Sequence, residues 1–250
     1  MTAAPRRRTV HGTALDALGS AIVAGRWAPG SALPPEPLLG EELGVSRTVV
    51  REAVKSLAAK GLVVAGPKLG TRVLPVDQWN WFDAEVVAWQ VQAGFTHGFL
   101  RDLVELRRTV EPAAVRLAAE RATQEDLAAV EAAFAGMDRA LQARDPAAYV
   151  LHDLAFHQGL LRASHNRMLG QMAQALGALL RASFELGWHK PKAAALSLPQ
   201  HRVVLDAVIA RDSQKAERAC RQLIDAAGED VARLLDSGRR LPPALSRGAG

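Results

Sequence analysis

The sequence predicts a mainly α-helical chain: a small N-terminal domain closing on a β-hairpin, then a larger antiparallel bundle of six or seven helices. Three observations lead there. Ala and Leu dominate the 250 residues while Phe, Trp and Tyr together make up 5%, a mixture that favours helices. Apolar residues return at three- and four-residue spacing along most of the chain, and residues 62–74 stand out as β-prone runs around Gly and Pro. Charge is unevenly placed as well, with ten Lys or Arg against five acids in residues 1–75. Taking those from the totals of 31 and 26 leaves 21 of each for the rest, so the whole net charge of +5 sits at the N-terminal end. That asymmetry points to a polyanion as partner of the first domain.

Residues 1–12, with Arg6, Arg7 and Arg8, lack periodicity and are expected to form a flexible basic arm. From Thr13 to Ala24, Leu15, Leu18, Ile22 and Val23 share one side of a first helix, which Gly25, Pro29 and Gly30 end. A second helix is expected to start at Pro34-Pro35, where missing N–H groups cost little, and to run through Leu38, Leu39 and Leu43 to Gly44. Ser46 then caps a third helix that buries Val49, Val50, Val54 and Leu57 and ends near Gly61. Two helices joined by a short Gly-containing turn form a helix-turn-helix. Leu62-Val63-Val64 and Thr71-Arg72-Val73-Leu74 around Gly66, Pro67 and Gly70 read as a hairpin, the wing of that motif. The winged helix-turn-helix domain is therefore placed at 13–75, with a hinge at Pro75 to Asp77.

Downstream, helices are expected at 79–92, 98–121, 123–142, 146–163, 167–186, 194–210 and 213–236, separated at Gly94, Asp145-Pro146, Asn166, Pro191 and Asp212. Amphipathic helices with short connections pack as an antiparallel bundle, placed at 76–240. Residues 241–250, with Pro242, Pro243, Gly248 and Gly250, are expected to be a disordered tail.

Some classes are excluded. A single cysteine, Cys220, cannot form an intrachain disulfide, and no apolar segment follows the arginines of the first eight residues, so a cytoplasmic protein is expected. No stretch approaches the roughly 20 uninterrupted apolar residues of a membrane-spanning helix.

Chemistry enters at the third helix. Arg47, Arg51 and Lys55 recur every four residues and share a face opposite the Val and Leu positions. Such a stripe suits guanine contacts and phosphate neutralisation in a major groove. A stripe taken by itself is more often solvated charge; the helix-turn-helix, the wing and the charge asymmetry together favour DNA. The residues Gly25-Arg26-Trp27-Ala28-Pro29-Gly30, Leu33-Pro34-Pro35-Glu36, Gly44-Val45-Ser46-Arg47-Thr48-Val49-Val50-Arg51-Glu52-Ala53 and Gly61-Leu62-Val63 resemble the GntR family of bacterial regulators. The resemblance implies a homodimer on a palindromic double-stranded operator, with contacts from Ser46, Arg47, Thr48, Arg51 and Lys55 and a wing entering the minor groove near Gly70. Pro37 departs from the pattern, standing where some members carry a DNA-contacting Arg.

In the bundle, Asp153 and His157 lie four apart, so on a helix both can face one cation; the same spacing also suits a local hydrogen-bonded pair. Leu106-Arg107-Arg108-Thr109-Val110-Glu111-Pro112, Asp153-Leu154-Ala155-Phe156-His157, Ser164-His165-Asn166 and His201-Arg202-Val203-Val204-Leu205-Asp206-Ala207 resemble the FCD effector and dimerisation domain of the FadR-type subfamily. That resemblance implies a divalent metal, zinc first, held by Asp153, His157 and His201, with Leu223 where a further His is often found. It makes Arg107 the anchor of an effector carboxylate, which its planar guanidinium can grip with two parallel bonds, against the alternative of a salt bridge to Glu105 or Glu111. Asp77-Gln78-Trp79-Asn80-Trp81 and Phe184-Glu185-Leu186-Gly187-Trp188 are similar to regulators of galactonate and related sugar-acid operons, which places Trp188 against the effector; Trp79 and Trp188 serve equally well as packing residues.

The function expected is that of a DNA-binding transcription regulator, a repressor whose operator affinity is set by a small carboxylate such as a sugar acid. Two alternatives stand beside it: a metal-dependent hydrolase using Asp153, His157 and His201, and a DNA-binding protein with no small-molecule effector. No nucleophile or general base accompanies those three residues in the sequence, so the chain is expected not to be an enzyme.

Overall fold

A computed structural model describes residues 9–66, 69–94, 96–187 and 191–236, which divide into two compact units between Ala93 and Gly94. The first unit holds α1 (Val10–Val23), α2 (Glu36–Leu43), α3 (Arg47–Ala59), the strands β1 (Val63–Gly66) and β2 (Gly70–Val73), and α4 (Ala84–Ala93). Thr9 caps α1, its hydroxyl accepting from the Gly12 N–H at 3.1 Å, so residues 9–12 of the expected arm are the cap and first turn of a helix. Helix α2 begins after Pro35, and Gly44 ends it at φ +65°, a left-handed conformation that side chains resist. Gly40 lets the turn into α3 close, since a Cβ there would meet the Val45 carbonyl oxygen at 2.9 Å. Ser46 caps α3 by accepting from the Val49 N–H.

Strands β1 and β2 pair antiparallel from Val63 opposite Val73 to Gly66 opposite Gly70, and Ser31 to Leu33 hydrogen-bond along the outer side of β2. Leu18, Ile22, Leu39, Val50, Leu57 and Val73 form the core beneath.

The helix expected at 79–92 begins at Ala84 instead. Val76–Gln78 is one turn of 3-10 helix, and the indoles of Trp79 and Trp81 donate to the carbonyls of Leu74 and Val76, both at 3.0 Å. Asn80 donates its N–H to the Lys60 carbonyl, and the Asp83 carboxylate receives the N–H groups of Glu85 and Val86 and so sets the start of α4. Pro75 to Asp77, expected as a hinge, thus belong to a tied turn. Trp79 is buried in the first unit's core, its packing alternative. Helix α4 lies on α1: Trp89 is buried against Gly19, where a Cβ would sit 2.5 Å from the ring, and its indole donates to Asp16. The expected bundle boundary at 76 differs from the structure, where residues 76–93 continue the packing of the first unit.

The second unit is a bundle of α5 (His97–Arg121), α6 (Gln124–Gln142), α7 (Pro146–Ala163), α8 (Arg167–Gly187), α9 (Pro191–Ile209) and α10 (Ser213–Asp236). Thr123 and Asp126 cap α6 reciprocally, Asp145 caps α7, and Pro146 takes the first-turn position where no N–H is needed. Val115, Leu127, Met137, Phe156, Leu205 and Ile224 belong to one core. The Arg211 guanidinium closes the end of α5 by donating to the carbonyls of Ala119 and Ala122. Among the described residues, no helix is long and apolar enough to cross a membrane.

Candidate functional site

Two groups of residues offer chemistry, one exposed on the first unit and one buried in the second. Helix α3 turns Val50, Ala53, Val54 and Leu57 inward, which leaves Ser46, Arg47, Thr48, Arg51 and Lys55 exposed on its other side. Arg47 Nε contacts Glu36 of α2 at 2.9 Å, and Lys55 contacts Glu52 at 2.9 Å. Both are surface pairs, worth about 0–1 kcal/mol each, so a phosphate can displace the carboxylates at little cost. Arg51 has no ion-pair partner among the described residues. Arg26 is less available, because it grips Glu42 through both terminal nitrogens and stacks over Trp27. Gly70 opens β2 at φ +69°. Pro37 lies exposed in the first turn of α2, where it offers no donor.

The buried group is built from three helices. Arg107 and Glu111 are one turn apart on α5, Asp153 and His157 one turn apart on α7, and His201 comes from α9. All five are buried, none more than 7% exposed. Glu111 stands between two partners: one carboxylate oxygen meets Arg107 Nε at 2.6 Å and the other meets His157 Nδ1 at 2.6 Å. His201 Nδ1 lies 2.8 Å from the Ser197 carbonyl oxygen. A carboxylate and a carbonyl can only accept, so both Nδ1 atoms carry protons and both Nε2 lone pairs point away. They point at each other, 3.4 Å apart, and at Asp153 Oδ1, which is 3.4 Å from His157 Nε2 and 3.1 Å from His201 Nε2.

Three acceptors converging with no donor among them need a cation or an added proton. Four-coordinate zinc with bonds of about 2.0–2.1 Å spaces its ligands roughly 3.3–3.4 Å apart, close to the separations here. The donor set therefore fits a divalent ion, and each histidine already has the acceptor behind it that metal-bound histidines normally use. Without an ion the proton is the remedy: burial alone would lower the His157 pKa, but the carboxylates of Glu111 and Asp153 overcome it and push it up to about 9. Burial likewise opposes ionisation of Asp153, yet His201 and His157 hold its carboxyl well below the usual range. Glu111, buried beside Arg107 and His157, is held at about 2. Phe156 packs edge-on against both imidazoles, at 5.7 and 5.1 Å.

Of the residues expected from sequence, Asp153, His157 and His201 are brought together. Arg107 lies one ion pair away and is engaged with Glu111, the partner named as its structural alternative. Leu223 is buried on α10. Trp188, like the arginines of residues 1–8 and the tail at 241–250, lies outside the described residues. The sequence reading gave Glu111 no role toward His157, because only the packing of α5 on α7 joins them; the signal was its position one turn after Arg107. Cys220 is buried nearby, and burial pushes its thiol well up, which makes it unreactive.

Comparison with known proteins gives a consistent result. Residues 12–73 match the bacterial regulatory proteins of the gntR family, and residues 102–226 match the FCD domain. The galactonate operon transcriptional repressor of Escherichia coli strain K12 is 38% identical over 208 residues, 83% of this chain and 90% of that one. The Glc operon transcriptional activator of the same strain is 28% identical over 222 residues, 86% of each chain. Among solved structures, a Streptococcus agalactiae GntR protein is 26% identical with a TM-score of 0.50, covering 88% of this chain and 99% of its own. The Listeria monocytogenes protein Lar shares the fold at 18% identity and a TM-score of 0.66, over 92% of this chain and 100% of its own.

Proposed function

Because this chain belongs to the gntR family of bacterial regulatory proteins and carries an FCD domain, and so is a transcription regulator and not an enzyme, we propose that it represses a sugar-acid operon by binding operator DNA until a small carboxylate releases it. The observation that carries the DNA half is the α3 face, where Ser46, Arg47, Thr48, Arg51 and Lys55 are exposed on a helix packed rigidly behind. In the proposed complex the start of α3 enters the major groove, Arg47 and Arg51 contact guanine edges or phosphates, Lys55 neutralises phosphate, and the wing at Gly70 approaches the minor groove. A homodimer would place two such helices on a palindrome, about 34 Å apart along the duplex. A cytoplasmic site of action follows from an operator as target.

The ligand half rests on the buried cluster. Asp153, His157 and His201 would hold a divalent ion, zinc being the natural occupant of two imidazoles and a carboxylate, and the ion would supply a Lewis acid for an oxygen of the effector. Arg107, paired with Glu111 in the cluster, is assigned to the effector's carboxylate, and Trp188 is assigned to the sugar-acid face. The similarity to a galactonate operon repressor supports an aldonate as the effector class. Effector binding would shift the population toward a form with poor operator fit, a coupling of about 1–3 kcal/mol.

The test is thermal stability against aldonates, uronates and small dicarboxylates, with and without chelator. One sugar acid, galactonate first, should raise the midpoint, and chelator should weaken that rise. A midpoint unmoved by every acid overturns the effector reading and leaves the DNA reading standing.

A further inference from the structure

We propose that Glu111 is a positioning residue for the cation at Asp153, His157 and His201, and that its ion pair with Arg107 tunes how tightly that cation is held. The inference rests on the cation-site reading above. Glu111 touches none of the three converging atoms, since its oxygens go to Arg107 Nε and His157 Nδ1, both at 2.6 Å. The bond to His157 does two things: it fixes the ring with Nε2 facing Asp153 and His201, and it feeds carboxylate charge into the imidazole, making Nε2 the better donor. Arg107 acts in the opposite sense. A guanidinium on the other carboxylate oxygen withdraws part of that charge, and it adds a positive group on the far side of Glu111 from where a cation would bind.

The two members of one buried ion pair therefore have opposite effects on cation affinity. That sign separates a tuning role from a structural one, because a pair that merely holds α5 against α7 would loosen the site whichever member were removed. A consequence concerns regulation. An anion that draws the Arg107 fork toward itself leaves the Glu111 charge to His157, so anion and cation each strengthen the other's binding through one carboxylate.

The experiment is zinc titration of the full chain by competition with a chromophoric chelator, for the wild type, Glu111→Gln and Arg107→Gln, with the thermal midpoint of each ion-free protein measured beside it. Both glutamines keep a hydrogen-bonding side chain while removing one charge. Zinc affinity should fall about 10–100-fold for Glu111→Gln and should rise for Arg107→Gln, even if both ion-free midpoints fall. Equal weakening in the two variants, or wild-type affinity in Glu111→Gln, overturns the positioning role, and wild-type affinity in Arg107→Gln overturns the tuning, each while leaving the cation site in place. A wild type that binds no zinc overturns the cation site, and the inference with it.

Discussion

The two units treat charge in opposite ways. On α3 the basic side chains face solvent, and such pairs as they make, Arg47 with Glu36 and Lys55 with Glu52, are surface contacts that a polyanion can replace. In the bundle, Arg107, Glu111, Asp153, His157 and His201 are enclosed, and their charges are set against one another, apart from the three converging acceptors that call for a cation or a proton. Exposed charges are held ready for something outside the molecule, whereas buried charges must be balanced within it, because leaving one unpaired costs several kcal/mol. The difference predicts that substitutions of the basic residues of α3 will act on binding and spare folding, while substitutions in the cluster will act on both.

The largest expected effect breaks the cluster. Glu111→Ala leaves the buried Arg107 without its carboxylate and should destabilise the chain by about 3–5 kcal/mol, read in a denaturant titration; a loss near that of a surface ion pair would mean the cluster is more open than its burial implies. Next, Arg51→Ala should cost about 1–3 kcal/mol of operator affinity, by fluorescence anisotropy, with the unfolding of the bundle unchanged. Ser46→Ala tests the cap beneath that face: it should cost about 1 kcal/mol of stability in the first unit, and operator affinity should fall through both the lost contact and the fraying of α3. Lys55→Ala is the smallest. Stability should move by less than about 0.5 kcal/mol, and the salt slope of DNA binding should drop by about 1.

The same contrast explains what could be read from sequence. Along α3 the information is local: a capping Ser46, apolar residues on one side and basic residues on the other need nothing from elsewhere in the chain. Boundaries marked by Thr123 and by Asp145-Pro146 were legible for the same reason, and α6 and α7 begin within a residue of where those signals place them. Helix α4 was placed five residues early because Trp79 and Trp81 share its apolar spacing but use their indoles to tie a turn. Its packing on α1 depends on Trp89 meeting Gly19, 70 residues away in sequence, a contact no local pattern announces. The cluster was half legible. Asp153 and His157 declare themselves by spacing, His201 and Arg107 entered by resemblance alone, and the bridge from Glu111 to His157 exists only once α5 lies against α7.

The proposed division between an exposed face for DNA and a buried cluster for a cation and its ligand is tested most directly by a double dissociation. Arg51→Ala and Glu111→Gln would each be titrated with an operator duplex, recovered by selection from random sequences on the wild type, and with zinc. Arg51→Ala should lose operator affinity and keep wild-type zinc binding, and Glu111→Gln, measured without zinc, should keep operator affinity and weaken for zinc when the ion is added. Both variants losing both activities, or Arg51→Ala retaining its operator, would contradict it.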